Sequence, residues 1–127
     1  MSTIRAEIKK SALAPAQITE MAGVQSFCFD QDFIGFSGHF PEYPILPAVL
    51  QVLLAQLLAE AIIGSPLAVV SLNRAKFLQQ LRPGNQIEVR LSCLEKGEAW
   101  HCSSELQVAG RCAASFTLIL GTLPLDR

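Results

Sequence analysis

The chain has 127 residues, of which 50% are hydrophobic and only 17% are charged. This length predicts one domain with its own core, and the composition excludes an intrinsically disordered protein. Ten basic and eleven acidic residues give a net charge of −1, so no strongly positive field is present to bind nucleic acid. The low charged fraction also predicts that a partner, most simply a second copy of the chain, covers some apolar surface.

The first 22 residues show no clean hydrophobic period, and we expect an N-terminal arm or a short helix there, with Ala12–Glu20 forming one or the other. The charged start of the chain has no apolar signal core. The longest apolar stretch, 45–63, is interrupted by Pro47 and by polar residues, which makes it a poor membrane span. These features predict a cytoplasmic protein without a membrane span.

The cysteines do not have the spacing of a metal knuckle or of a redox motif with two intervening residues. All of them lie in apolar or alternating stretches. We therefore expect small buried apolar side chains and no metal site. The four residues are Cys28, Cys93, Cys102 and Cys112.

A strand is predicted at Val24–Phe29, followed by a loop in which three prolines fall within seven residues. The last of these, Pro47, suits the first position of a helix. That helix is predicted over Pro47–Ile62, ending before Gly64. Its polar side chains point in scattered directions, which is typical of a buried helix. They are Gln51, Gln56 and Glu60.

After Pro66 the hydrophobic pattern changes to a period of two, which predicts strands joined by short turns. The four predicted strands are Ala68–Leu81, Gln86–Leu94, Ala99–Val108 and Arg111–Leu120. Short connections favour an antiparallel meander. The prediction is a single α+β domain over 1–127, in which an antiparallel sheet wraps around one long buried helix.

The segment before the helix has the features of a site. His39 lies in the proline-rich loop, and its neutral imidazole can accept a proton near neutral pH. The helix start offers the free backbone N–H groups of Ala48 and Val49, which would polarise a substrate carbonyl while His39 removes the adjacent proton. From the residues alone, however, a lone loop histidine is more often structural than catalytic.

Residues 38–50 follow the pattern G-H-F-P-x-x-P-x-x-P-x-V-L. This resembles the signature of the β-hydroxyacyl-acyl-carrier-protein dehydratases, which have the hot-dog fold. Ala75-Lys76-Phe77 with the later Pro83-Gly84 also resembles a strand and turn of that family. The resemblance covers about residues 24–120. One departure is Ala48, where the family usually has glycine.

The resemblance implies a 3-hydroxyacyl-[acyl-carrier-protein] dehydratase of fatty-acid or polyketide-type synthesis. It implies a homodimer, or an oligomer of dimers, with two sites at the subunit boundary. No cofactor would be bound, and the acyl substrate would be carried on the phosphopantetheine of acyl carrier protein or of CoA. By the matching motif, His39 is the base and the backbone N–H of Ala48 binds the carbonyl.

A second departure concerns the acid. The family places a catalytic carboxylate in the helix about fourteen residues after the histidine, and this chain has Leu53 there. Glu60 lies about 10 Å further along the helix, too far to serve the same atom. Glu42 and Tyr43 lie in the loop and are alternatives, although a solvated loop residue is the simpler interpretation.

Three hypotheses therefore remain open. The first is a divergent dehydratase or isomerase of acyl thioesters that works without this acid or with an ordered water. The second is an acyl thioesterase, in which water attacks the polarised carbonyl. The third is a non-catalytic member that binds acyl chains or carrier protein and pairs with an active paralogue.

The remaining candidates carry weaker signals. Three basic residues are candidate contacts for an acidic carrier protein, although a charged strand edge is the default interpretation. They are Arg74, Lys76 and Arg82. His101 is expected to be a surface or half-buried strand histidine. Several aromatic residues are expected in the core, the loop or a tunnel wall, together with Tyr43. They are Phe33, Phe36, Phe40 and Phe77.

Overall fold

The computed structural model describes residues 3–36 and 44–123, which form an antiparallel sheet around one long helix. The helices are α1 (Thr3–Lys10) and α2 (Ala48–Ile63). The strands are β1 (Gln17–Thr19), β2 (Ala22–Cys28), β3 (Leu67–Phe77), β4 (Gln86–Lys96), β5 (Ala99–Val108) and β6 (Arg111–Thr122). The predicted α+β class, with a sheet around a helix, is confirmed.

The strand order is β1-β2-β4-β5-β6-β3, and every pairing is antiparallel. The predicted meander is correct for β4, β5 and β6 but wrong for β3. That strand pairs with β6, from Leu67 opposite Thr122 to Phe77 opposite Ala114. Because β2 occupies the side of β4 that β3 would need, β3 lies at the far edge of the sheet.

The strand predicted to reach Leu81 ends at Phe77 instead. The N–H groups of Leu78 and Gln79 both donate to the carbonyl of Ala113, at 2.7 and 3.2 Å, which turns the chain away from β6. The carbonyl of Leu81 then accepts the N–H of Leu46 at 2.7 Å. The residues after β3 therefore hold the segment that leads into α2.

The N-terminal region contains both a helix and a strand, and of the two alternatives expected over Ala12–Glu20 the short helix is wrong. Helix α1 lies earlier, where its one buried residue, Ile8, joins the core. Residues 12–19 instead run beside β2: Ala12 forms a bridge with Phe27, and β1 pairs with the start of β2.

Helix α2 buries one side against the sheet through Leu54, Ala55, Leu58 and Ala59. The opposite side is open in the single chain, where Val49 is 72% exposed. The predicted helix bounds are correct to within one residue at each end. The helix stops at Gly64, which has a φ of 88° and donates its N–H to the carbonyl of Glu60. In the described parts of the chain, no helix combines the length and apolarity needed to cross a membrane.

The cysteine prediction is correct for two residues of four. Cys93 and Cys102 are buried, whereas Cys28 and Cys112 are half-buried. His101 is half-buried on β5, as expected.

Candidate functional site

The start of α2 presents unpaired backbone donors. Pro47 is the N-cap residue, and its carbonyl accepts the N–H groups of Leu50 and Gln51 at 3.0 and 3.1 Å. Proline offers no capping side chain, so Ala48 and Val49 have N–H groups without an acceptor among the described residues. Both residues are exposed, and the positive end of the helix dipole lies here. This end of the helix can bind a carbonyl oxygen or an anion.

Two hydrogen bonds fix the backbone that enters α2. The N–H of Leu46 donates to Leu81, and its carbonyl accepts the side-chain amide Nε2 of Gln51 at 3.0 Å. Gln51 is only 4% exposed, and its Oε1 atom has no hydrogen-bond partner within the described residues. From the sequence, Gln51 is predicted only to be one of the scattered polar residues of the helix. The available signal was its position one turn after a helix-starting proline in an apolar helix.

An aromatic cluster packs against the same turn of α2. The rings of Phe29 and Phe33 stack with centroids 4.3 Å apart, and Phe36 meets Phe33 edge to face at 5.6 Å. Between them, Gly35 approaches the helix so closely that an added Cβ would lie 2.5 Å from the Cδ1 atom of Leu50. Phe33 and Phe36 are buried, as predicted.

His39, Phe40, Glu42 and Tyr43 lie outside the described residues. The residues on either side of that segment are both fixed near the first turn of α2, through the aromatic cluster before it and through Leu46 after it.

Leu53 is half-buried and lies on the open side of α2, one turn beyond Val49. It is about 7.5 Å along the helix axis from Ala48. A leucine side chain can neither donate a proton nor hold a water molecule by a hydrogen bond. The next acid on this side, Glu60, is engaged by Arg5 and by the backbone N–H of Leu67. Across residues 3–36 and 44–123, no cluster of three or more potential metal ligands occurs.

The three basic candidates lie on two different elements. Arg74 and Lys76 are exposed on β3 at an irregularity in its pairing, where Arg74 has a φ of 55°. Arg82 is half-buried in the connection to β4, where its side chain donates to Gln80 and its N–H to Asn85.

Phe77 ends β3 and is 41% exposed, with its ring 6.1 Å from that of Phe116. Phe77 is therefore too exposed in the single chain to be a core residue.

The fold is one that solved structures of other proteins share. The structure described as the dehydratase heterocomplex ApeI:P from Xenorhabdus doucetiae aligns with a TM-score of 0.73 and 23% identity, covering 87% of this chain and 96% of that one. A hypothetical thioesterase with coenzyme A from Streptococcus pneumoniae aligns with a TM-score of 0.71 and 7% identity, covering 98% and 97%. The chain has the hot-dog fold.

Sequence comparison identifies the family. The profile described as ApeI-like, ApeI dehydratase, matches residues 16–115. The 3-hydroxyacyl-[acyl-carrier-protein] dehydratase FabZ of Bacillus velezensis is 32% identical over 110 residues, which cover 79% of this chain and 77% of that protein. FabZ of Nitrosospira multiformis is 32% identical over 102 residues, covering 72% and 70%. The chain belongs to the ApeI-like dehydratase family.

Proposed function

We propose that the chain is an enzyme that removes water from a 3-hydroxyacyl thioester carried on the phosphopantetheine of acyl carrier protein, giving the enoyl thioester. One observation carries this proposal: the start of α2 is exposed, and the N–H groups of Ala48 and Val49 lack acceptors among the described residues. Donors aimed at an oxygen that gains negative charge are an effective way to stabilise an enolate-like transition state. The substrate class is the one that the FabZ relatives are named for.

In this mechanism the oxygen of the thioester carbonyl accepts a hydrogen bond from the N–H of Ala48. The imidazole of His39 removes a proton from the carbon next to the carbonyl. The enolate then expels the β-hydroxyl, which must leave as water and needs a proton. The methyl group of Ala48, where relatives of this type usually have glycine, narrows the approach of the thioester.

The source of the second proton is the unusual feature of this site. Leu53 cannot supply it, so the proton must come from the imidazolium formed at His39, from Glu42 or Tyr43 in the loop, from an ordered water, or from an acid on a partner chain. General acid assistance contributes about 10²- to 10⁴-fold, so we expect turnover to be slow in the isolated protein.

A second candidate function follows from the same residue. In this function the chain would bind the acyl chain or the carrier protein and would pair with a paralogue that carries the catalytic acid. We call its contribution a half-site. Two observations favour it: Leu53 lies on the open side of α2, and a structural relative is described as a heterocomplex. A thioesterase is less favoured, because Leu53 offers no polar group to direct a water molecule.

We further propose that two copies of the chain associate through β3. This strand is at the edge of the sheet, so one row of its backbone groups has no strand to pair with among the described residues. Its side chains are mostly exposed, including Val70 at 65% and Leu72 at 41%. Exposed apolar residues along an unpaired strand favour pairing with a second strand of the same kind.

The remaining proposals concern the carrier and the compartment. Arg74 and Lys76 are exposed on the same strand, and paired cations would attract an acidic carrier protein and speed its encounter. Arg82 is a weaker candidate, because its side chain is already bonded to Gln80. We place the reaction in the cytoplasm.

A panel of thioesters tests the main proposal. The purified protein is given 3-hydroxybutyryl and crotonyl groups on carrier protein and on CoA, and both enoyl absorbance and free thiol are followed. Enoyl formation supports dehydration, thiol release supports a thioesterase, and binding without turnover supports the half-site. His39→Ala should abolish turnover, whereas the matched variant His101→Ala, on β5, should retain it. A folded His39→Ala protein with unchanged turnover contradicts the assignment.

A further inference from the structure

Two cysteines face one another across neighbouring strands of the sheet. Cys93 of β4 lies directly opposite Cys102 of β5, and their Sγ atoms are 3.0 Å apart, with the Cys102 thiol donating to Cys93. The backbone N–H of Cys93 donates to Met21 on the other side of β4, so the two cysteines form a non-hydrogen-bonded cross-strand pair. In such pairs the Cα atoms are about 4.5 Å apart, within the roughly 4.4–6.8 Å window of disulfides.

We propose that Cys93 and Cys102 are a redox-modification site, a dithiol that an oxidant of the peroxide class converts into a cross-strand disulfide. The Cys93 thiol reacts with hydrogen peroxide to give a sulfenic acid and one water. The Cys102 thiol then attacks the sulfenic sulfur, forms the S–S bond and releases a second water. Together the two thiols lose two electrons and two protons, which the peroxide takes up as it becomes two molecules of water. A dithiol reductant reverses the step.

The environments of the two sulfur atoms assign their roles. The hydrogen bond from Cys102 holds the pKa of the Cys93 thiol below its ordinary value, although burial opposes this. The same bond and burial raise the pKa of Cys102. Cys93 is 6% exposed and lies near the turn at Gly97, whereas Cys102 is fully buried. Cys93 is therefore the attacking group, and Cys102 resolves the sulfenic acid.

The other two cysteines provide an internal comparison. Cys28 is paired in register with Gln86, and Cys112 with Gln107, so neither faces a cysteine across the sheet. Both are half-buried.

The pair lies beneath the second half of α2. Leu91 lies two positions before Cys93, on the same side of β4, and is opposite Gly23 of β2. A Cβ added at Gly23 would be 3.0 Å from Ile62, near the end of the helix, so this side of the sheet faces the end of α2. The disulfide would therefore join β4 to β5 without occupying the start of α2. Because it closes a loop in the unfolded chain, we expect the oxidised form to be more stable.

Thiol counting on the full-length protein tests the proposal. After treatment with hydrogen peroxide and denaturation, the number of titratable thiols should fall from four to two. The mass of the protein should fall by two hydrogen atoms, and the peptides that contain Cys93 and Cys102 should be found linked. The melting temperature should rise by several degrees, and dithiothreitol should restore the original values.

Two variants separate this pair from the other thiols. The double variant Cys28→Ser with Cys112→Ser should still form the disulfide, and its melting temperature should rise on oxidation by the same amount as that of the parent protein. Cys102→Ala should instead add oxygen at Cys93 and gain no stability. If the double variant keeps both thiols after peroxide treatment, or loses them only in links between molecules, the proposal is wrong.

Discussion

The guanidinium of Arg5 and the carboxylate of Glu60 form an ion pair between α1 and α2, with Nη1 and Oε1 2.9 Å apart. The second oxygen of Glu60 accepts the backbone N–H of Leu67, the first residue of β3, at 3.0 Å. One carboxylate thus joins the N-terminal helix, the last turns of α2 and the edge strand. The only acid in α2 therefore has a structural role.

We expect Glu60→Ala to lower the free energy of unfolding by about 2 kcal/mol, because two hydrogen bonds to a charged and largely buried group are lost. Glu60→Gln should cost less, since its amide oxygen can still accept the N–H of Leu67. Urea denaturation measures both. The control is Glu7→Ala, which removes an exposed ion pair with Lys10 and should cost less than about 0.5 kcal/mol. Equal losses for Glu60→Ala and Glu7→Ala would contradict the structural role.

Gly35→Ala should destabilise the protein by about 1–3 kcal/mol, because the new Cβ would lie 2.3 Å from Phe33 and 2.5 Å from Leu50. Thermal unfolding gives the difference. In the matched variant Gly121→Ala the nearest atom, on Val70, is 3.4 Å away, so the melting temperature should change little. If Gly35→Ala is as stable as Gly121→Ala, the prediction is wrong, because the side chains of Phe33 and Leu50 would then move aside without a cost in stability.

Leu53→Glu should raise the dehydration rate of a 3-hydroxyacyl thioester at least about tenfold, toward the lower end of what general acid catalysis contributes. An apolar, partly buried position raises the pKa of a carboxyl group and favours its protonated form, which can donate to the leaving hydroxyl. The variant should also lose about 1–3 kcal/mol of stability. Initial rates of enoyl formation provide the measurement.

Leu53→Gln is the matched control for that substitution. Its side chain has the same length as glutamate but no acidic proton, so its rate should stay at the parent level. If Leu53→Glu folds, binds substrate and gains nothing over Leu53→Gln, the missing acid is not the limiting defect, and the half-site function becomes the better explanation.

Leu72→Lys should shift the protein from dimer to monomer, because it puts a charge on the apolar edge of β3. Light scattering at micromolar concentration reads out the mass. Leu94→Lys, at a 59% exposed position of β4 inside the sheet, should leave the mass unchanged. A parent protein that is already monomeric at this concentration would rule out association through β3.

The sequence predicts α2, β2, β4, β5 and β6 well because each has a strong local pattern: Pro47 marks the start of the helix, and a period of two marks the strands. It does not predict which strands are neighbours. In β3 only Leu67 is buried, and nothing local in its sequence indicates that β6 lies beside it, since that depends on β2 occupying the side of β4 that β3 would need. Nor does the sequence predict helix α1, because a short helix with one buried residue has almost no periodic signal.

The site was predictable to the extent that its chemistry is local. A proline at a helix start leaves N–H groups unpaired, so Ala48 and Val49 could be identified directly. The role of Gln51 could not, because its partner is the carbonyl of Leu46, whose direction depends on the bond to Leu81 from a distant segment. The Cys93–Cys102 contact was likewise invisible, because it requires the exact register of two strands.

The position of β6 between β5 and β3 has a consequence for synthesis of the protein. The ribosome makes β3 before β6, yet among the described strands only β6 pairs with β3, and residues 111–122 must emerge before that pairing can form. Its exposed Val70 and Leu72 remain open to other nascent chains during that interval. A chain interrupted before Arg111 would keep this strand unpaired and prone to aggregate, so the synthesis of β6 determines when this edge of β3 is covered.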